Sequence, residues 1–229
     1  MILWMLLLFL MYQSIPLTRF TATFILFCFA AVAAAQQTLQ FSFTHYSTDA
    51  GLLTDRTNAV TQDDNGFIWI ATADGLQRYD GVRYKTFRHV PGDAGSIPVN
   101  GVFQVMRGSK NKLWLLFTDG YAGFFDTRTF RFQQVPLKVN PYKAGFNLAV
   151  SKFSQDEKGH IFLLINGEDL NIWDSVHNSF VSATAFFPVK QNWKMVDVVQ
   201  QPGTEKYYLS IRGMGLVLYN KKTGLISYS

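Results

Sequence analysis

Four copies of one pattern, spaced about 45 residues apart, limit this chain more tightly than anything else in it. The first copy is NGFIWIATADGLQRYDG, residues 65–81, anchored on Trp69. Further copies are NKLWLLFTDGYAGFFD (111–126) on Trp114, GHIFLLINGEDLNIWD (159–174) on Phe162 and EKYYLSIRGMGLVLYN (205–220) on Tyr208. The anchors lie 45, 48 and 46 residues apart. Each copy closes on an aromatic followed by Asp or Asn: Tyr79-Asp80, Phe125-Asp126, Trp173-Asp174 and Tyr219-Asn220. An alternating segment with a turn precedes each copy, and another short strand-like segment follows it.

A period of this size converts directly into architecture. Each unit holds four runs of about four to seven residues, separated by Asp-Asn-Gly, Asp-Gly and similar turn residues. No segment after residue 35 has a sustained 3.6-residue apolar rhythm, so no helix is expected there. Four short antiparallel strands per unit make a propeller blade. The fold class is therefore all-β, a β-propeller of about four blades of four strands, expected as an incomplete ring. The 21 Phe and 10 Tyr fit this, since flat aromatic side chains suit pleated surfaces. The expected bounds are 36–57 for an N-terminal outer strand and lead-in, 58–90 for blade 1 and 91–137 for blade 2. Blade 3 is expected over 138–188, and blade 4, truncated, over 189–229.

Residues 1–35 read as a secretory signal. A cation at Arg19 precedes an apolar stretch from Phe20, and Ala33-Ala34-Ala35 supplies the small residues of a cleavage site. The additional apolar run 1–12 fits a true start at Met11; the alternative is an uncleaved anchor. Beyond residue 35 there is no cysteine, so packing alone must hold an exported chain together. Its 20 basic and 16 acidic residues are scattered, which argues against a nucleic-acid surface.

The stretch HYSTDAGLLTDRTNAVTQDDNGFIWIATADGLQRYDG resembles the periplasmic propeller repeats of two-component regulators, typical of hybrid sensor histidine kinases of Bacteroidetes-type bacteria. The match runs through Asp63, Gly66, Trp69, Ile70, Thr72, Gly75, Leu76, Arg78, Tyr79 and Asp80, with Ala71 where Gly is usual. The resemblance implies a periplasmic sensor portion whose parent is anchored in the inner membrane. It also implies further blades, a transmembrane helix and a kinase in that parent, a dimeric parent, and an oligosaccharide ligand. A secreted binding propeller unconnected with signalling, or a propeller lyase or glycosidase, are the alternative readings.

Catalysis finds no support in the residues. The four histidines, His45, His89, His160 and His177, sit in different repeats with no metal-ligand spacing. No cofactor or metal is expected. Asp63-Asp64-Asn65-Gly66 lacks the remaining ligand positions of a calcium loop and reads as a hairpin turn. The recurring aromatics Trp69, Trp114, Phe162, Tyr208, Tyr79, Phe125, Trp173 and Tyr219 are expected in the repeat core. Ligand contacts are sought instead among unrepeated loop residues: Asp74, Arg78, Asp119, Asn192 and Trp193.

Overall fold

A computed structural model describes residues 42–137, 151–164, 167, 170–187 and 193–228. The expected signal, residues 1–35, lies outside them. Among the described residues, sixteen strands make four antiparallel sheets of four, each in simple meander order. The first holds β1 (Thr57–Gln62), β2 (Ile68–Thr72), β3 (Gly75–Tyr79) and β4 (Tyr84–Phe87). The second holds β5 (Val102–Arg107), β6 (Lys112–Phe117), β7 (Ala122–Asp126) and β8 (Arg131–Gln134). The third comprises β9 (Lys152–Gln155), β10 (Ile161–Leu164), β11 (Asn171–Asp174) and β12 (Ser179–Ser182). In the fourth are β13 (Met195–Gln200), β14 (Lys206–Ile211), β15 (Gly215–Asn220) and β16 (Leu225–Tyr228). Strand β16 is as long as β4, β8 and β12, so among the described residues the fourth sheet has the same four strands as the others. Among the described residues no helix is long and apolar enough to cross a membrane.

The outer strand expected before blade 1 is not formed by the described residues. Positions 42–47 carry no strand, Thr48–Ala50 is a short 3-10 turn, and Phe43 is 91% exposed.

Side-chain alternation explains how the sheets stack. Successive residues of a strand face opposite sides, so every middle strand presents one face forward and one back. Trp69 faces forward, joining Leu113, Leu115 and Phe125 of the second sheet in one buried cluster. Trp114 repeats this against Phe153, Ile161 and Phe180 of the third, and Phe162 against Tyr207 and Leu209 of the fourth. The closing aromatics answer from the other side. Phe125 meets Trp69 edge-on with ring centres 5.6 Å apart, and Trp173 meets Trp114 at 5.0 Å.

Two of the eight expected core aromatics depart from this scheme, and for one reason. Tyr208 faces forward and is only half-buried, because among the described residues no sheet lies in front of the fourth. Its strand neighbour Val199, on the same face, is 58% exposed. Tyr79 faces backward from the first sheet and is also half-buried, stacked on Tyr84 and met edge-on by Tyr46. Tyr208 and Tyr79 are thus the two unmatched halves of an interface that the chain builds three times.

The closing Asp or Asn of each repeat has one job. Asp80, Asp126, Asp174 and Asn220 each accept backbone N–H bonds from residues two and three positions on, fixing the outer hairpin. The N–H groups of Thr129 and Arg128 hold the Asp126 carboxyl below the ordinary aspartate range. Such a depressed pKa stabilises the fold above the unfolded value, about 3.9, and that contribution is lost as pH falls through the folded one. Asn220 fills the same role without titrating. Asp126→Asn should therefore flatten the decline in stability below pH ~4 while leaving the neutral-pH midpoint little changed. Urea titrations at a series of acidic pH values check this; an unaltered acid slope counts against it.

Candidate functional site

Antiparallel order places the start of each inner strand, the turn between the two middle strands and the connection to the next blade at one end. A cavity of about 720 Å³ opens there, and every sheet contributes to its wall. Its polar lining comes from Asn58, Gln104, Ser151, Lys152, Ser210 and Arg212.

Three of these groups also tie neighbouring inner strands together. Asn58 donates through Nδ2 to the Val102 carbonyl at 2.8 Å. Gln104 clamps Phe153 with both ends of its amide, donating to the carbonyl at 3.0 Å and accepting from the N–H at 2.7 Å. Lys152 reaches Asp197 at 2.7 Å, so its charge is answered across the third and fourth sheets. Arg212, in the turn after β14, donates to the Gly167 carbonyl and has no ion-pair partner among the described residues. The wall therefore combines fixed amide and hydroxyl groups with one exposed cation. Such a surface can bind a polar or anionic ligand by hydrogen bonding.

The residues expected from sequence fall elsewhere. Asp74 and Asp119 occupy equivalent turns, at the end where the cavity opens, but do not line it. The Asp74 carbonyl accepts from Arg88 at 3.1 Å, and the Asp119 carboxylate accepts from Thr118 at 3.3 Å. Arg78 is a packing residue: its guanidinium lies 4.3 Å from the centre of the Phe67 ring and 5.3 Å from that of Phe130. Trp193 is buried in the cluster between the third and fourth sheets. Asn192 lies outside the described residues.

Gln104, Lys152 and Asp197 share a single register position, opposite Leu116, Leu164 and Ser210, and Ala59 holds it in the first sheet. Variation at one fixed place in the repeat is the signal that could have found this wall. Among the described residues no cluster of three or more His, Cys, Asp or Glu could hold a metal ion.

The fold and cavity define an arc of β-propeller with a polar axial opening. No protein-family profile matches the chain. It is similar to a curated protein of Formosa agariphila, histidine kinase P4, at 36% identity over 73 residues, 32% of this chain and 5% of that one. Among solved structures it resembles the extracellular domain of a hybrid two-component system of B. thetaiotaomicron. That likeness has a TM-score of 0.61 at 17% identity, covering 81% of this chain and 26% of the other. Virginiamycin B lyase of Staphylococcus aureus is similar at a TM-score of 0.54 and 13% identity, over 83% of this chain and 60% of the lyase. At such identities the structural likenesses show the propeller fold. The chain spans about a twentieth of the kinase it matches and about a quarter of the two-component domain.

Proposed function

We propose that this chain is the ligand-sensing, extracytoplasmic propeller portion of a two-component sensor, exported to the periplasm. The observation that carries the reading is the axial wall, where unrepeated polar groups from all four blades converge at one end of an otherwise repetitive scaffold. In the parent, further blades cover the faces of Tyr208 and Tyr79, and a membrane-anchored, dimeric kinase portion reads the bound state. The ligand is an oligosaccharide released from a polysaccharide, which hydrogen-bonds to Asn58, Ser210 and Arg212.

Calorimetric titration with a panel of neutral and acidic oligosaccharides tests this. Binding without turnover is expected, and Arg212→Ala should weaken it about tenfold, ~1.4 kcal/mol. Products appearing in the titration cell would instead favour a lyase or glycosidase. Affinity indifferent to Arg212 would remove the axial wall from the account.

A further inference from the structure

The junction between successive sheets is built three times from the same register positions. Its forward half centres on the anchors Trp69, Trp114 and Phe162, all buried. Its backward half centres on the inner-strand residue that pairs with the position after the anchor: Val105, Phe153 and Val198, also buried. Each half occurs a fourth time, and there it meets solvent.

The fourth forward half is on the last sheet. Its anchor Tyr208 is half-buried, with Val199 opposite it on β13 and Leu218 opposite it on β15. Side chains two apart share a face, so the exposed Leu216 extends the same surface. The fourth backward half is on the first sheet. Val60 pairs with Ile70 there, in the register of Val105, Phe153 and Val198, yet it is 60% exposed. Its residue type does not explain this, since the valines at 105 and 198 are buried at the same point. The difference is a preceding sheet, which the first lacks among the described residues.

The approach to the first sheet is shaped for that contact as well. Asp49-Ala50-Gly51 repeats Asp93-Ala94-Gly95, from the connection that enters the second blade. In that connection the Gly95 carbonyl accepts from Phe132 N–H at 2.8 Å, and Ile97 joins the buried cluster around Trp69. On the first sheet the Gly51 carbonyl accepts from Gln77 Nε2 at 3.3 Å, while Gln77 Oε1 accepts from Leu53 N–H at 2.7 Å. The back of the first sheet is thus a finished half-junction, with both its face and its connection in place.

Exposed apolar surface of this kind marks an association site. The occupant that fits a backward half is a forward half, and the chain carries one. A single front-to-back contact leaves one face of each type open, so copies would go on adding. Two copies related by a two-fold axis fill all four faces together. Twice four sheets is eight blades, within the range of closed propellers. We infer that this chain pairs with a second copy of itself, the forward face of each fourth sheet packing on the backward face of the partner's first sheet. Tyr208 then stands against Val60 and Tyr79 of the partner as Trp69 stands against Val105 and Phe125. The inference does not rest on the sensing reading. In a longer parent further blades occupy these two faces; for the chain by itself a second copy does.

Sedimentation velocity on the full chain over a wide range of concentrations tests this. Monomer in equilibrium with a single dimeric species is expected, with no larger assembly. Val199→Lys alters the forward face and Val60→Lys the backward one. Each breaks both junctions, because the symmetric dimer uses both faces of every copy, and each should raise the dissociation constant about tenfold or more. Both side chains are exposed in the single chain, so thermal unfolding of the variant monomers should match that of wild-type monomer. Mixing the two variants restores one intact junction, and a heterodimer weaker than the wild-type dimer should appear. Monomer at every concentration overturns the inference. So does a ladder of larger species, which shows front-to-back growth without closure. A dimer weakened by only one of the variants, or by neither, overturns it too, because the contact is then not front to back.

Discussion

Trp69→Ala lowers the urea midpoint sharply, by an amount corresponding to about 3–5 kcal/mol, the range for large aromatic truncations in cores. Trp69 is fully buried, with Phe87 stacked on it and Phe125 edge-on, each at 5.6 Å between ring centres. Its removal opens a cavity at the junction of two sheets, where neighbours on both sides are held by their own strand ladders and cannot collapse into the space. The substitution also takes one donor from Asp63, a buried carboxylate whose remaining partners are the N–H groups of Asn65 and Phe67. Trp69→Phe separates these effects, since a ring is retained while the indole bond is lost; about 1–3 kcal/mol is expected from it. An unmoved midpoint for Trp69→Ala would show that this position is not a packing residue, and a sugar-stacking role would then need to be reconsidered.

Sequence pattern revealed the blades because the stacking rule is local. Alternation within Phe67-Ile68-Trp69-Ile70 already separates a forward from a backward face, and a 45-residue period multiplies that reading fourfold. Turn chemistry was equally legible: Asp80, Asp126, Asp174 and Asn220 recur because the hairpin needs a side-chain acceptor at that point. The exposure of Tyr208 was not legible, since burial depends on what lies in front of a sheet and not on the strand's own pattern.

The cavity lining was hidden for a different reason. Gln104 and Lys152 stand in strands that read as ordinary alternating segments, and only their bonds to the next blade, to Phe153 and to Asp197, mark them out. Loop position drew attention instead to Asp74, Asp119 and Arg78. For Arg78, aromatic neighbours from two blades make the site a clamp between sheets.

Asp156→Ala should be as damaging as loss of Trp69, although it removes only a small polar side chain. The carboxylate is buried and accepts four bonds: from the N–H groups of Lys158 and His160, from His160 Nδ1, and from the Tyr207 hydroxyl. Three elements, the inner turn of the third blade, its histidine and the middle strand of the fourth, converge on one group. Truncation leaves the Tyr207 hydroxyl without its acceptor inside the blade interface, and about 3–5 kcal/mol is expected. Tyr207→Phe, which removes a donor from an anion that keeps three others, should cost less, ~1.5–3 kcal/mol.

Because both changes delete the same bond, the double variant Asp156→Ala with Tyr207→Phe should be less destabilised than the sum of the singles. Burial and the Asp156 charge push the Tyr207 phenol well above its ordinary value. A raised pKa contributes stability that is intact below the unfolded value, about 10, and is lost as pH rises through the folded one. Wild-type protein should accordingly lose stability in strong alkali, and Tyr207→Phe should lose less of it over the same interval. Additive single-variant costs, together with an alkaline slope unchanged by Tyr207→Phe, would show that the carboxylate and the phenol do not act as a pair.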